Sequence, residues 1–341
     1  MKNKIAIASA FLAASSFSMG EIVINDFLSF EGFVDSSYSH SEIDGGPADD
    51  SNNTFEVDQV EISWLFNFGA VTGQIDLQHE GTNIQSEGDV VEQAFVNYAL
   101  SGGGVVTAGR YASMLGFEAY EPTGLYQYSR AYGLVEGGGS NLPWYSQGVK
   151  YTIASDSTFF GISLQDQTFG ADSGRLGGDD DSSYGVEVAA SIDLGAGFSL
   201  FVGGAFEEES NEEYMRQYNA YVTYETGAWL FAAELNVSEA YRRPIFSNGV
   251  DITMVSGLVM ANYAYSDSAS VTARISALEI EADEFEGFGI TKYTLAHNYA
   301  LSDSLLLVTE VNYTEGDVAI GNDSPEDGDS AQFAIRLLFS F

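Results

Sequence analysis

The 341-residue sequence contains no cysteine, few basic residues and no long apolar segment after its first twenty residues. The absence of cysteine excludes disulfides, thiolate metal sites and cysteine nucleophiles. Twelve lysines and arginines stand against 50 aspartates and glutamates, and a net charge of −38 excludes nucleic acid as a partner. No apolar run beyond residue 20 approaches the roughly 20 residues of a spanning helix. An outer-membrane β-barrel remains open, because its strands carry their apolar residues in alternation.

The first twenty residues have the composition of a secretory signal peptide. Lys2 and Lys4 form a basic start, Ile5–Ala14 is a short apolar run, and Ser18–Gly20 supplies small residues at the cleavage positions. We therefore expect residues 1–20 to be a signal peptide and residues 21–341 to form one exported domain. Without the two lysines, 10 basic residues stand against 50 acidic ones, a net charge of about −40.

Apolar and polar residues alternate through most of the remaining chain. The segments 60–68 (VEISWLFNF) and 71–78 (VTGQIDLQ) illustrate the pattern, and the last strand, 331–341, alternates up to the aromatic residue Phe341. A period of two over about ten residues is typical of barrel strands that cross a membrane. A soluble β-sandwich has the same period, so the alternation alone does not decide between the two.

The connections between these segments favour the barrel, because tight and long ones alternate along the chain. The tight ones are Gly69, Ser101–Gly104, Ser155–Ser157, Gly195–Gly197, Gly227, Ser266–Ser268 and Ser302–Ser304. The long ones are His40–Asn53, Gly81–Asp89, Gly116–Pro143, Gly170–Ser182, Glu207–Glu213, Ser238–Val250, Glu281–Gly289 and Gly316–Ser330. This order predicts an all-β, transmembrane antiparallel β-barrel of about 16 strands, with short periplasmic turns and long acidic extracellular loops.

One region carries a family resemblance. The segments that carry it are VEQAFVNYAL (Val91–Leu100), TAGRYASMLGFEAYEP (Thr107–Pro122) and QYSRAYG (Gln127–Gly133). These segments resemble the OmpL-like β-barrel porins, and the barrel is similar to 16-stranded general porins, whose third loop folds into the lumen. The resemblance implies an outer-membrane porin without enzymatic activity and, from the general porins, a homotrimer. The protein would then be surrounded by outer-membrane lipid and lipopolysaccharide.

The third long connection, Gly116–Pro143, is predicted to narrow the pore. It is glycine-rich and aromatic and carries both signs of charge, unlike the acidic loops around it. Alternation also turns four wall cations inward, because a charge facing lipid costs roughly 2–4 kcal/mol at mid-bilayer. The candidate pore-lining residues are Arg110, Glu118, Glu121, Tyr126, Tyr128, Arg130, Tyr132, Glu136, Lys150, Arg274, Lys292 and Arg336. Alternatively, these charges are structural ion pairs that hold the loop to the wall, and both descriptions can be true together.

The sequence predicts a passive channel for small hydrophilic solutes and ions. Acidic loops around its mouth favour cations, although the inward basic residues act in the opposite direction. The alternatives are a substrate-selective channel, for a sugar or an anion, with a tyrosine-rich constriction, and a surface-binding barrel with incidental conduction. The three histidines, His40, His79 and His297, are far apart in the sequence. We therefore expect no enzyme, no metal site and no cofactor.

Overall fold

The computed structural model describes residues 20–45, 50–80, 91–132, 142–169, 184–208, 214–242, 250–282, 285–318 and 326–341. In these ranges the chain forms seventeen β-strands and one 3-10 turn, Pro122–Gly124. No helix among the described residues is long and apolar enough to span a membrane. The predicted signal peptide, residues 1–20, lies outside the described residues except for Gly20.

The strands, in chain order, have the following bounds. They are β1 Ile22–Asn25, β2 Leu28–Gly45, β3 Asp50–Phe68, β4 Val71–Glu80, β5 Val91–Ala99, β6 Gly104–Ala112, β7 Tyr145–Ala154, β8 Thr158–Gln165, β9 Tyr184–Gly195, β10 Phe198–Glu208, β11 Tyr214–Thr226, β12 Trp229–Arg242, β13 Val250–Ser266, β14 Ala269–Ala282, β15 Phe285–Ser302, β16 Leu305–Val318 and β17 Glu326–Ser340.

Strands β2 to β17 form a closed antiparallel barrel. Each strand pairs with the next along the chain, and β17 pairs with β2 to close the ring, with Leu337 opposite Ser36. The short β1 pairs with β2 as an additional strand. Closure leaves each of the strands β2 to β17 paired on both sides, which is the condition for a sheet that crosses lipid. The predicted sixteen-stranded antiparallel barrel is therefore confirmed.

The barrel wall is apolar outside and polar inside. On β15, Tyr293, Leu295 and Tyr299 are 40–52% exposed. Lys292 and Thr294, the residues on either side of Tyr293, are 4–5% exposed. Neighbouring strands show the same alternation, which reverses the arrangement of a soluble barrel. An apolar outer face suits contact with hydrocarbon, and a polar inner face suits water and dissolved solutes.

All seven predicted tight connections are present between successive strands of the barrel. Three of them share the sequence Ser-Asp-Ser, and each uses the same local hydrogen bond. The backbone N–H of the second serine donates to the hydroxyl of the first, at 3.3 Å in 155–157, 266–268 and 302–304. A serine hydroxyl that accepts this hydrogen bond in place of a backbone carbonyl favours a tight reversal of the chain. The repeated Ser-Asp-Ser sequence therefore has a physical reason.

Several of the long connections are shorter than the sequence predicts, because the strands continue into them. For example, the predicted loop His40–Asn53 is largely strand, since β2 extends to Gly45 and β3 begins at Asp50. The predicted loops Ser238–Val250, Glu281–Gly289 and Gly316–Ser330 are shortened in the same way. The ladder uses backbone groups, so polar side chains can continue it beyond the apolar part of the wall.

Candidate functional site

Between β6 and β7 the chain turns away from the wall and contacts the inward faces of distant strands. We call the described residues 113–132 the inner loop. At its start, Ser113 Oγ and the Met114 amide donate to the two carboxylate oxygens of Glu187, at 2.6 and 2.5 Å. Glu187 lies on β9 and is fully buried. Its two oxygens therefore accept a side-chain donor and a backbone donor from the loop, which satisfies both partners without water.

Glu234 on β12 joins both ends of the inner loop. Its Oε1 accepts the Phe117 amide at 2.8 Å, and its Oε2 accepts the Tyr132 hydroxyl at 2.8 Å. Asn219 on β11 donates to the same Oε1 at 2.8 Å. Burial, reinforced by the adjacent Glu234 carboxylate, raises the pKa of Tyr132 above its ordinary value. Tyr132 therefore stays protonated, as a donor to Glu234, at any physiological pH.

A third wall carboxylate, Glu310 on β16, holds the middle of the inner loop. The successive amides of Tyr128 and Ser129 donate to its Oε2 at 2.8 and 3.0 Å. Glu310 is only 1% exposed. Hydrogen bonds from two adjacent amides to one carboxylate are charge-assisted and stronger than neutral ones. They fix the direction of the loop backbone at this point.

Wall cations hold the carbonyl and carboxylate groups of the same segment. Arg274 on β14 forms an ion pair with Glu118 and donates to the Ser129 carbonyl at 2.9 Å. Glu118 also accepts the Ala131 amide at 2.7 Å. Lys292 on β15 donates to a further loop carbonyl, at 3.3 Å. The arginine, the glutamate and the loop backbone thus form one connected polar network.

Apolar side chains of the inner loop pack on an apolar part of the inward wall. Phe117 lies edge-on to Tyr221 of β11, with ring centroids 5.7 Å apart, and Tyr221 stacks on Phe201 of β10 at 4.6 Å. Leu115 belongs to the same buried cluster, as does Met260 of β13. Burying such rings against a complementary surface stabilises the docked loop through the hydrophobic effect.

Several predicted site residues are covered by the loop instead of facing open space. Arg274, Lys292 and Arg336 are 2–7% exposed. Arg336 pairs with Asp35 on the neighbouring strand β2, at 2.9 Å, and its guanidinium lies 4.6 Å from the ring of Tyr128. The pair of Arg274 with Glu118 corresponds to the alternative of ion pairs that hold the loop to the wall, whereas Arg336 forms its ion pair within the wall. A direct role of the three cations in conduction stays a prediction.

The remaining predicted residues lie along the loop and at its two ends. Arg110 donates to the Glu92 carbonyl, and Lys150 to the Ala112 carbonyl, at 2.7 and 3.3 Å. Arg130 donates to the carbonyl of Tyr120 and lies 4.8 Å from the ring of Trp144. Further contacts are those of Glu121 with Gln59 and Tyr145, of Tyr128 with Ser37, and of the Tyr126 carbonyl with Thr272 and Asn298. Glu136 lies outside the described residues.

The sequence analysis did not identify the wall glutamates that bind the inner loop. Glu187, Glu234 and Glu310 each stand between two residues that face outward, in VEV, AEL and TEV. Lys150 and Arg274 were predicted to face inward because a charge that faces lipid is unfavourable, and the same reasoning applies to acids within a barrel strand. Applied to them, it would have placed these three glutamates in the lumen.

Comparison with known proteins gives one family and several solved structures. A family model described as "Putative beta-barrel porin-2, OmpL-like" matches residues 28–341. The chain is 14% identical to the anion-selective porin from Comamonas acidovorans, with a TM-score of 0.67, over 92% of this chain and 99% of that one. The chain is also 14% identical to the outer-membrane channel DcaP of Acinetobacter baumannii, with a TM-score of 0.66, over 92% of this chain and 97% of that one. No curated protein sequence matches.

A further structural relative is OmpT of Vibrio cholerae. It is 14% identical, with a TM-score of 0.66, and the match covers 94% of this chain and all of that one. The same protein has also been solved in a trimer form. At identities this low, the likeness to solved structures establishes the barrel fold alone.

Proposed function

Because the chain belongs to the family of OmpL-like β-barrel porins of the outer membrane, we propose that it is a passive diffusion channel whose constriction is the inner loop. Small hydrophilic solutes and ions would cross between the loop and the polar inner wall. The observation that carries this proposal is the set of loop contacts with inward side chains of β9, β12, β14 and β16. A segment attached at four separated strands occupies part of the cross-section of the barrel.

Deletion of the inner loop tests this proposal. Residues 118–132 are replaced by a short glycine-serine linker, and single-channel conductance is measured in planar bilayers at 1 M KCl. At this salt the Debye length is about 3 Å, so charges at the mouth contribute little. The control deletes residues 319–325, which belong to a predicted rim loop. We expect higher conductance only in the first variant, and equal conductance in all three folded proteins would refute the constriction.

The contacts of the loop tyrosines favour passive diffusion over a channel that grips one solute. The hydroxyls of Tyr120, Tyr128 and Tyr132 already bond to Pro143, Ser37 and Glu234. A solute-binding site needs polar groups that are free to contact its ligand. Concentration-dependent block of the conductance by one sugar or anion would favour the selective alternative. A folded barrel that does not conduct would favour the surface-binding one.

We also propose that the channel prefers cations. The acidic excess of the sequence lies largely in the loops, and it would raise the local cation concentration at the mouth. The preference should weaken as salt rises, because the Debye length falls from about 10 Å at 0.1 M to about 3 Å at 1 M. Reversal potentials in a salt gradient measure it, and anion preference at low salt would show that the wall cations dominate.

Assembly as a homotrimer belongs to the same proposal. It is supported by the trimer form in which OmpT of Vibrio cholerae has been solved. Light scattering of the folded protein in detergent, corrected for bound detergent, measures the protein mass directly. A mass about three times that of the mature chain would support a trimer, and the mass of one mature chain would refute it.

A further inference from the structure

Three glutamates from separate elements converge beside the 3-10 turn of the inner loop. Glu61 lies on β3, Glu92 lies on β5, and Glu121 immediately precedes Pro122. One carboxylate oxygen of each lies within 4.8 Å of those of the other two. Glu61 and Glu92 are each only 4% exposed. The inner loop and two strands of the wall thus bring three acidic groups together in a place shielded from water.

Among the described residues, a further buried carboxylate lies in the neighbourhood of this cluster. Asp76 on β4 is also fully buried, and it accepts hydrogen bonds from Gln74 and Gln93 of the neighbouring wall. Arg110 lies next to the cluster and donates its Nε to the backbone carbonyl of Glu92. Buried carboxylates in this number need compensation by a bound cation or by protons, because an uncompensated buried charge is strongly unfavourable.

The available hydrogen-bond donors are distributed unevenly over the three carboxylates. Glu121 accepts from Gln59 and from Tyr145, each at 2.8 Å, and Glu61 accepts from Ser63 at 3.0 Å. The Oε2 atom of Glu92 is buried and has no hydrogen-bond partner among the residues that the structure describes. A buried acceptor without a donor, close to two other carboxylates, is the environment that a metal cation satisfies.

We propose that Glu61, Glu92 and Glu121 bind one Ca²⁺ ion, which ties the inner loop to β3 and β5. Ca²⁺ bonds to oxygen at about 2.3–2.6 Å, so two oxygens on opposite sides of one ion lie about 5 Å apart. The three oxygens lie within 4.8 Å of one another, inside this limit. Mg²⁺ demands near-ideal octahedral geometry, whereas Ca²⁺ accepts irregular sets of oxygen ligands. Water would complete the coordination of Ca²⁺.

The experiment measures Ca²⁺ binding to the full folded chain in detergent, after removal of divalent ions with a chelator. Calorimetry gives the affinity for Ca²⁺. Tb³⁺, which replaces Ca²⁺ at oxygen sites, reports the location, because the Tyr145 ring beside Glu121 can sensitise its luminescence. We expect tyrosine-sensitised Tb³⁺ emission that Ca²⁺ displaces. These readouts do not involve conduction, so they are independent of the proposed channel activity.

The site variant is Glu61→Gln together with Glu92→Gln, and the control is Glu279→Gln, an exposed outward position on β14. Loss of groups that merely support metal ligands costs about 10–100-fold in affinity, so loss of two direct ligands should weaken Ca²⁺ binding at least tenfold. Folding of each protein is checked by its heat-dependent migration on a gel, and Glu92→Gln alone serves if the double variant does not fold. Equal Ca²⁺ affinity in the site variant and the control, or no binding by the unmodified chain, would overturn the proposal.

Discussion

Replacement of Arg274 by methionine tests how strongly the polar network holds the inner loop in place. The guanidinium forms an ion pair with Glu118 and donates to the Ser129 carbonyl, and the residue is 2% exposed. Methionine keeps much of the volume but removes the charge and every donor. The Glu118 carboxylate, with 13% side-chain exposure, then remains without its counter-ion.

The expected magnitude follows from the burial of this pair. Removal of one partner from a buried ion pair costs about 3–5 kcal/mol, because the other charge is left uncompensated. Since about 1.4 kcal/mol corresponds to a factor of ten, the docked loop should open at least about 100-fold more often. Amide hydrogen exchange of peptides within 126–132 measures this opening directly. Replacement of Arg216, which lies over the ring of Tyr214, by methionine is the matched control.

A double-mutant cycle separates the ion pair from general disturbance. Glu118→Gln combined with Arg274→Met removes the uncompensated carboxylate, so this double variant should exchange more slowly than Arg274→Met alone. Groups in one ion-pair network show coupling of about 0.5–3 kcal/mol, whereas independent sites add to within about 0.3–0.5 kcal/mol. Additive effects of the two replacements, or exchange unchanged by Arg274→Met, would refute the reasoning.

Three further predictions concern the effect of pH on Tyr132, the close packing at Gly109 in the barrel wall, and the orientation of the barrel in the membrane. The raised pKa of Tyr132, caused by burial and by Glu234, means that its stabilising hydrogen bond is complete below pH about 10 and is lost as pH rises through that raised value. Tyr132→Phe should remove one of the delayed steps of an alkaline absorbance titration. Gly109→Ala should lower the midpoint of thermal unfolding, by strain of about 1–3 kcal/mol, since φ is +130° and a Cβ would lie 2.2 Å from the Ala94 carbonyl oxygen. The control Gly102→Ala meets nothing within 4 Å and should change little. On intact cells, a membrane-impermeant thiol reagent should label cysteines placed at Asp50, Asp180 and Asp327 and spare those placed at Asp156, Asp267 and Asp303. Asp180 belongs to a long connection, Asp50 and Asp327 lie at strand ends that border two others, and the last three lie in tight turns. Mixed labelling within either set would contradict the orientation.

The barrel could be predicted from the sequence because its determinants are local. Alternation assigns each strand residue to a face, and the Ser-Asp-Ser turns mark reversals that need no distant partner. The limits of the long connections were less predictable. The segment 40–45 is polar, so it was predicted as loop, yet it continues β2 because Ser41 lies opposite Asn52 on β3. That pairing joins backbone groups, and the side chains carry little information about it.

The contacts of the inner loop could not be predicted, because they join residues far apart in the sequence. Alternation shows that Glu234 faces inward, but Phe117 reaches it across 117 positions of sequence. The choice of partner depends on the path of the loop through the barrel, which side-chain patterns do not record. The inward charges of the wall are therefore best understood together with the loop. Acids on β9, β12 and β16 meet its amides, whereas Arg274 and Lys292 meet its carbonyls. A wall that offers both signs of charge can satisfy both ends of the peptide dipole, and this allows an irregular backbone to lie inside a barrel without the hydrogen bonds of a sheet.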